Sequence, residues 1–388
     1  MKRKICVITG SRAEYGILKP LLEEIYKDSG LVLQLIVTGM HLSPEFGLTY
    51  HEIEDDGFKI NEKIETILSS DTPIGISKSM GLTLISFAEA YARLTPEIIV
   101  VLGDRFEIFS AVSAALISRI PVAHIGGGEL TEGAFDNALR HSITKMSHLH
   151  FAATEEYKKR IIQLGENPNR VFNVGEIGLD SISKFRLLSK KTLEESLGFH
   201  FNKRNLLITF HPVTLENNSS REQFTNILSI LDKLEDTTLI FTKTNADTHG
   251  RIINKLIDDY VVSNPHKSLA FSSLGRQKYL SMLQFVDACI GNSSSGIVEA
   301  PLFKIATINI GDRQKGRIKP SSVIDCEPQP ADIKKALQKV YSKAFRKNLH
   351  KIENPYFKEN SVFNVKNILK NYDLSNIIKK SFYDMKIY

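Results

Sequence analysis

Short runs of consecutive apolar, often β-branched residues alternate along the chain with longer stretches in which apolar positions recur every three or four residues. The runs predict strands over 4–10, 31–38, 97–102, 121–126, 149–154 and 171–174, then over 205–211, 237–243, 268–272, 288–291, 305–310 and 322–326. The longer stretches predict helices over 13–28, 77–94, 106–119, 136–147, 155–164, 220–234, 249–263, 276–286, 296–302 and 331–345. Strands that are apolar on both faces and alternate with helices predict parallel sheets covered on both sides. The alternation breaks at 176–204, where Gly175-Glu176-Ile177-Gly178 leads into a polar, Lys- and Ser-rich stretch. The pattern therefore predicts an α/β chain of two doubly wound, Rossmann-like lobes. The first is placed at 1–176, the second at 177–365, and a helical tail, 366–388, is expected to pack back on the first. Ligands of such sheets lie outside the carboxyl ends of the strands, so two facing lobes predict an interdomain cleft.

Bulk properties agree with this picture. The chain has 388 residues, beyond the roughly 250–300 at which a single core stops growing. Apolar residues make up 42% and charged residues 24%, and no apolar run nears the roughly 20 residues of a membrane span. The basic start Met1-Lys2-Arg3-Lys4 precedes an apolar run too short for a signal peptide, so a buried first strand is expected. Cys6, Cys289 and Cys326 are far apart and embedded in apolar segments, which fits structural thiols in a reducing cytoplasm better than disulfides or zinc. The net charge of +6 is concentrated in 331–388, with 13 Lys/Arg against 5 Asp/Glu. On terminal helices this reads as a solvated face, and no nucleic-acid or membrane partner is expected.

Candidate chemistry lies where predicted strands end. Thr9-Gly10-Ser11-Arg12-Ala13-Glu14 closes the first strand, and Ser11 and Glu14 have capping-box spacing. The helix start could take an anion, with Arg12 gripping a phosphate, although a plain strand–helix turn explains the residues equally well. No GxGxxG follows any strand, so the dinucleotide fingerprint is missing. Asp104, in Gly103-Asp104-Arg105-Phe106-Glu107, is either a helix cap or an acid at a strand end. His124-Ile125-Gly126-Gly127-Gly128-Glu129 continues to Glu132, Asp136, Arg140 and His141, placing acids beside a glycine run that permits close backbone approach. In the second half His211 closes a strand. Gly291-Asn292-Ser293-Ser294-Ser295-Gly296 turns from strand into helix with hydroxyls suited to a diphosphate, and Glu299 lies one turn on. Gly311–Arg317 has Walker-like spacing but lacks the Lys-Ser/Thr pair, and there is no HExxH or Asp-x-Asp, so neither an essential metal nor a cofactor is expected.

The ordered set of these motifs resembles the hydrolysing UDP-N-acetylglucosamine 2-epimerases of bacterial sialic-acid synthesis. The likeness runs from Gly10–Gly16 through Arg140–Ser147, Asn245-Ala246-Asp247-Thr248, Gly291–Gly296 and Thr307–Arg317 to Asn354–Asn360. It implies a GT-B type, two-lobed fold and hydrolysis of a UDP-sugar with release of UDP and N-acetylmannosamine. It places Arg12, Ser293 and Ser294 on the diphosphate within the turn that Gly296 completes, and Glu299 on the ribose. Leu274 and Tyr279 frame the base, and His211 and Arg313 stand at the sugar–phosphate junction. Asp104, Glu129 and Asp136 are the implied acid/base carboxylates. Gly126 departs from the pattern, since many relatives carry an acid or His there. Related enzymes act on diacetamido sugars, or with GDP as carrier, for legionaminic-type acids. A homo-oligomer, dimer or tetramer, is expected.

The C2 hydrogen of an N-acetylhexosamine is not α to a carbonyl, so direct abstraction is implausible. Without a nicotinamide site, prior loss of the nucleotide is the remaining route, through an unsaturated glycal that is then rehydrated. Two rivals stand against an epimerase: a GT-B glycosyltransferase that needs an acceptor, and a non-catalytic nucleotide-sugar sensor.

Overall fold

A computed structural model of the chain describes residues 2–68, 72–132, 134–182, 185–213, 219–244 and 250–385. They form two compact units: Met1–Glu129 with Asp136–Lys184 and Tyr356–Tyr388, and Leu130–Phe135 with Phe185–Pro355.

The first unit holds a seven-stranded sheet, all parallel, made of β1 (Arg3–Thr9), β2 (Leu31–Thr38), β3 (Glu62–Ile64), β4 (Ile98–Leu102), β5 (Val122–Ile125), β6 (Leu149–Ala152) and β7 (Val171–Asn173), in the order β3-β2-β1-β4-β5-β6-β7. Its helices are α1 (Arg12–Lys27), α2 (Tyr50–Asp55), α3 (Pro73–Leu94), α4 (Phe106–Ile117), α5 (Asp136–Met146), α6 (Glu155–Gln163) and α7 (Leu179–Ile182). Strand β4, Ile-Ile-Val-Val-Leu, is buried throughout because helices cover both faces. One face packs Leu18, Leu21, Leu22 and Ile25 of α1, spaced as one helical stripe, onto Val7, Leu35 and Val100. The other packs Phe87 and Tyr91 of α3 and Ile108, Ala111 and Val112 of α4 onto Cys6, Ile8 and Ile99.

The second unit carries β8 (Arg204–Thr209), β9 (Thr237–Thr242), β10 (Ser268–Phe271), β11 (Ala288–Gly291), β12 (Ala306–Ile310) and β13 (Val323–Cys326). They form one parallel sheet in the order β10-β9-β8-β11-β12-β13. Around it lie α8 (Lys190–Leu197), α9 (Ser219–Leu231), α10 (Gly250–Ser263), α11 (Gly275–Met282), α12 (Ser295–Val298), α13 (Pro330–Val340) and α14 (Lys343–Leu349). In both units the first strand is the third across the sheet and the order reverses beside it, which marks the carboxyl end of that strand and its neighbour as the place for a ligand.

The compact units do not follow the sequence boundaries. Residues 177–184 and 356–365 join the first unit, where Glu176 N–H donates to Tyr356 O at 2.8 Å, the Tyr157 and Tyr356 hydroxyls are 2.8 Å apart, and Ser361 donates to Asp180 at 2.8 Å. The last helix, α15 (Ser361–Asn371), lies on α1. Arg3 donates to Leu369 O at 2.7 Å and Tyr372 O at 2.9 Å, and Asp28 pairs with Lys370 at 2.7 Å. Residues 130–135 group with the second unit, where Gly316 lies against Leu130.

Local elements differ in the same informative way. The stretch 176–204 contains α8, capped by Ser189 and ended by Gly198, with Leu193 as its buried residue, too few apolar positions to show a period. The short β3 and α2 are likewise below the length at which a pattern appears. The helix expected over 331–345 is two, because Ser342 adopts extended backbone and caps α14. The helix expected over 296–302 stops after one turn, and Ala300–Phe303 with Pro301 is 3₁₀. Among the described residues no helix is long and apolar enough to cross a membrane, and Cys6, Cys289 and Cys326 are free thiols.

Candidate active site

In the first unit the carboxyl ends of β1, β4 and β5 carry the residues singled out in the sequence. Asp104 follows β4 after Gly103, whose φ of +77° suits a residue without Cβ. Its carboxylate is paired with the Arg140 guanidinium, which is 3% exposed. Arg140 is four residues beyond Asp136, the first residue of α5, so the helix brings both onto one face, and Thr144 extends that face by another turn. Thr144 meets His124 Nδ1 at 3.1 Å, while His124 Nε2 meets Gly103 O at 2.8 Å. Burial drives the His124 pKa down to about 3, so the ring is neutral: Nε2–H donates to the carbonyl and Nδ1 accepts from the hydroxyl. His124 thereby ties the Asp104 turn to α5.

Glu129 is buried, and a Cβ placed on Gly126 would stand 4.0 Å from its Oε1, so Glu129 folds back over the end of β5. Gly128 must be glycine: its φ is +79°, and an added Cβ would collide with Tyr157 O, while Arg160 holds the Gly128 carbonyl at 2.5 Å. The glycine run is thus a packing requirement of β5 against α6 as much as an approach for a ligand. Arg12 opens α1, where Ser11 Oγ accepts from Glu14 N–H at 3.4 Å. Burial comes first among the causes that lower His141, followed by the charges of Arg140 and Arg160, so this ring also favours the neutral form.

In the second unit the register of β8 against β11 sets Thr209 opposite Gly291. A Cβ on Gly291 would strike Thr209 O, so this close approach requires glycine. The next residues, His211 and Asn292, are joined twice: His211 N–H donates to Asn292 Oδ1 at 2.7 Å, and Asn292 Nδ2 donates to His211 O at 2.8 Å. The Asn292 carbonyl accepts from Arg313 at 3.1 Å and from the fully buried Gln314 at 2.9 Å. One asparagine therefore fixes His211, the serine turn and the Arg313 loop. Ser293 and Ser294 are partly exposed, and the Ser294 side chain makes no cap bond to α12. Gly296 is explained by packing, since an added Cβ would be 2.6 Å from Thr307 Cγ2. Glu299 accepts from Ser295 at 2.6 Å and from Arg276 at 3.2 Å. Tyr279 is 2.5 Å from the same Ser295 hydroxyl, and Leu274 caps α11, buried.

The structure thus places Arg12 at the start of α1, Asp104 and Glu129 after β4 and β5 and Asp136 at the start of α5, all in the first unit, and His211, Leu274, Tyr279, Ser293, Ser294, Gly296, Glu299 and Arg313 in the second. Sequence reasoning missed Arg276, and it met Asn292 and Gln314 within motifs without assigning them the roles that arise from pairings between distant segments. It quoted Arg140 without using the signal available, its four-residue spacing from Asp136. The Asn245–Thr248 motif and Gly133 lie outside the described residues. Among the described residues no three His, Cys, Asp or Glu side chains gather as a metal site would need.

Residues 23–370 match the family described as UDP-N-acetylglucosamine 2-epimerase. The hydrolysing GDP/UDP-N,N'-diacetylbacillosamine 2-epimerase of Campylobacter jejuni is 47% identical over 387 residues, 99% of this chain and 100% of its own. The polysialic acid biosynthesis protein P7 of Escherichia coli is 41% identical, covering 99% and 98%. The crystal structure of UDP-GlcNAc 2-epimerase from Neisseria meningitidis bound to UDP-GlcNAc superposes with a TM-score of 0.80 at 20% identity, over 95% of this chain and 100% of that one. The two-sheet α/β architecture is therefore of GT-B type.

Proposed function

Because this chain belongs to the UDP-N-acetylglucosamine 2-epimerase family and is a hydrolysing nucleotide-sugar 2-epimerase, we propose that it converts UDP-N-acetylglucosamine and water to N-acetylmannosamine and UDP, feeding sialic-acid synthesis. Family membership sets aside the glycosyltransferase and sensor readings. The observation that carries the proposal is the grouping of Asp104, Glu129 and Asp136 around the ends of β4 and β5 and the start of α5, carboxylates that can move protons at adjacent sugar carbons.

The chemistry follows from the substrate. Departure of UDP leaves positive charge at C1, which acidifies C2–H enough for a carboxylate to remove it. The product is a 2-acetamidoglucal. Water then adds at C1 and a proton returns to C2 from the opposite face, giving the manno configuration. Arg12, Ser293, Ser294 and His211 stabilise the diphosphate as its charge grows, and Arg313 holds the sugar–phosphate junction. Leu274 and Tyr279 frame the base and Glu299, with Arg276, takes the ribose. Asn292 is a positioning residue for His211. No cofactor enters the scheme, and excess chelator or added NAD is expected to leave the rate unchanged.

A second reading, supported by the Campylobacter relative, keeps the reaction and changes the sugar to a diacetamido form carried by UDP or GDP. The test is turnover in D₂O without acceptor on each candidate nucleotide sugar. UDP release with deuterium at C2 of a manno product supports the elimination route. Protium kept at C2 rules that route out, and a gluco product leaves only a hydrolase. The sugar with the highest kcat/KM decides between the two substrates. A homo-oligomer is part of the proposal: α3 leaves Ile74, Leu82, Leu84 and Ile85 exposed, apolar surface suited to a second copy. Light scattering that gives a monomer removes it.

A further inference from the structure

Behind the Arg12 turn lie two carboxyl groups that the proton-transfer scheme does not use. Glu14 sits in the first turn of α1 and Glu107 in the first turn of α4, and both close on Gly10. The Gly10 N–H donates to Glu14 Oε2 at 2.7 Å. A Cβ on Gly10 would stand 2.6 Å from Glu107 Oε1 and 2.8 Å from its Cγ, and one on Gly39 would stand 3.1 Å from the same oxygen. Glu107 therefore fits only because the ends of β1 and β2 carry glycines there. Glu14 is 7% exposed and Glu107 fully buried. Glu14 Oε1 and Glu107 Oε2 are both buried with no hydrogen-bond partner among the described residues. Arg105 Nε donates to Glu107 Oε1 at 2.6 Å, and the charge of the same guanidinium also acts on Glu14.

Two ionised carboxylates in a dry site beside one cation leave a buried negative charge uncompensated, which a protein relieves by keeping a proton. Burial, then the charge of Glu107, push Glu14 up to about 8, against the pull of Arg105 and the Gly10 N–H. Asp104 at the end of β4 adds to the push but has its own partner in Arg140. His41, after β2, brings no positive charge, because burial takes it down to about 3 and it bridges Thr9 and Thr49 as a neutral ring.

We propose that Glu14 and Glu107 hold one proton between them, carried by Glu14, and that this half-neutral pair positions Gly10 and so the Arg12 turn for an anion. Its consequence for binding rests on the reading of Arg12 as a diphosphate contact; neither carboxyl touches the substrate. With the proton in place, Glu14, Glu107 and Arg105 sum to zero. When it is lost, a negative charge appears directly behind the turn and opposes the polyanion. UDP affinity should then fall at alkaline pH by about three- to thirtyfold, the effect of one added charge acting across roughly 10 Å of partly screened protein.

Calorimetry with UDP, from neutral to alkaline pH, tests this in the full chain. The wild type is expected to lose affinity as pH rises through about 8. Glu14→Gln keeps an acceptor for Gly10 and carries no charge at any pH, so it is expected to bind as the wild type does at neutral pH and to lack the alkaline fall. Glu14→Leu, with no acceptor, is expected to bind weakly at every pH. Glu107→Gln removes the repelling charge and moves the fall to lower pH. Infrared spectroscopy of the unaltered protein supplies an independent readout: the C=O stretch of a neutral carboxylic acid, sensitive to D₂O, present at neutral pH in the wild type and missing in Glu14→Gln. Absence of that band from the wild type, an alkaline fall that persists in Glu14→Gln, or equal loss of binding in Glu14→Gln and Glu14→Leu would overturn the proposal. If Arg12→Ala binds UDP normally, the diphosphate reading fails instead, and the infrared band still decides whether Glu14 carries the proton.

Discussion

The two units share a strand order and differ in what they put at its carboxyl end. Each has its first strand inside the sheet, with the second and third strands on one side and the fourth and all later strands on the other. At β1 and β4 the first unit places carboxyls and guanidiniums, Glu14, Asp104, Arg105, Glu107 and Arg140, mostly buried and paired. At β8 and β11 the second unit places an amide and hydroxyls, Asn292, Ser293 and Ser294, around a glycine that lets two backbones touch. The same topology thus ends in buried, largely paired charged side chains in one unit and in neutral hydrogen-bonding groups in the other. What sets the chemistry is the handful of residues after each strand, because the strands themselves are uniformly apolar and interchangeable in kind.

The largest expected effect breaks the proton-handling end alone. Asp104→Asn keeps the shape but cannot accept a proton, so kcat should fall by about 10²–10⁴-fold while UDP affinity stays nearly unchanged. Single-turnover rates beside UDP calorimetry check it, and near-normal turnover would move the proton-transfer role to Glu129 or Asp136. Next come the anion contacts. Arg12→Ala and Ser294→Ala should each weaken UDP binding by about ten- to a hundredfold, through loss of a charge-assisted or neutral donor to a phosphate. Wild-type UDP affinity in either variant would remove that residue from the diphosphate contacts.

A smaller effect tests the architecture of the second end. Asn292→Ala removes both hydrogen bonds to the His211 backbone, and the buried groups left behind should lower stability by about 1–3 kcal/mol. Thermal unfolding measures it, and an unchanged melting temperature would mean that His211 is held by other groups. The smallest effect lies away from both sites. Glu166 is buried, which raises its pKa, but hydrogen bonds from His150, Lys145 and Lys380 more than offset this and hold it at about 2. Its folded-state value is depressed, so its contribution to stability is present above the ordinary value of about 4.5 and is lost as pH falls toward 2. Lys380→Met removes one of those partners, so acid unfolding followed by circular dichroism should shift to higher pH by roughly a few tenths of a unit.

Much of this was legible along the chain. The apolar runs and helical periods place twelve of the strands, because a strand buried on both faces announces itself by composition alone. The motifs after them also mark Arg12, Asp104, Glu129, Asp136, His211 and the Gly291–Glu299 turn, since strand ends followed by Gly, Ser or acids are local patterns. Elements too short for a period, such as β3, α2 and α8, left no such trace.

The sequence by itself determined the α/β alternation, the apolar strands and which loops carry chemistry, because each depends on residues close together in the chain. Only the tertiary structure decided how those loops are used. Asn292 bonds to His211 across 81 positions, Arg140 meets Asp104 across 36, and Glu107 stands against Gly10 from another helix. Glycines tell the same story. Gly291 and Gly296 belong to a turn that the sequence reads as a diphosphate site, and only Thr209 and Thr307, standing where a Cβ would lie, show that packing also requires them. The physical reason is that protonation, pairing and steric fit are set by whatever shares a buried volume, and residues distant in sequence come to share one only once the sheet has closed.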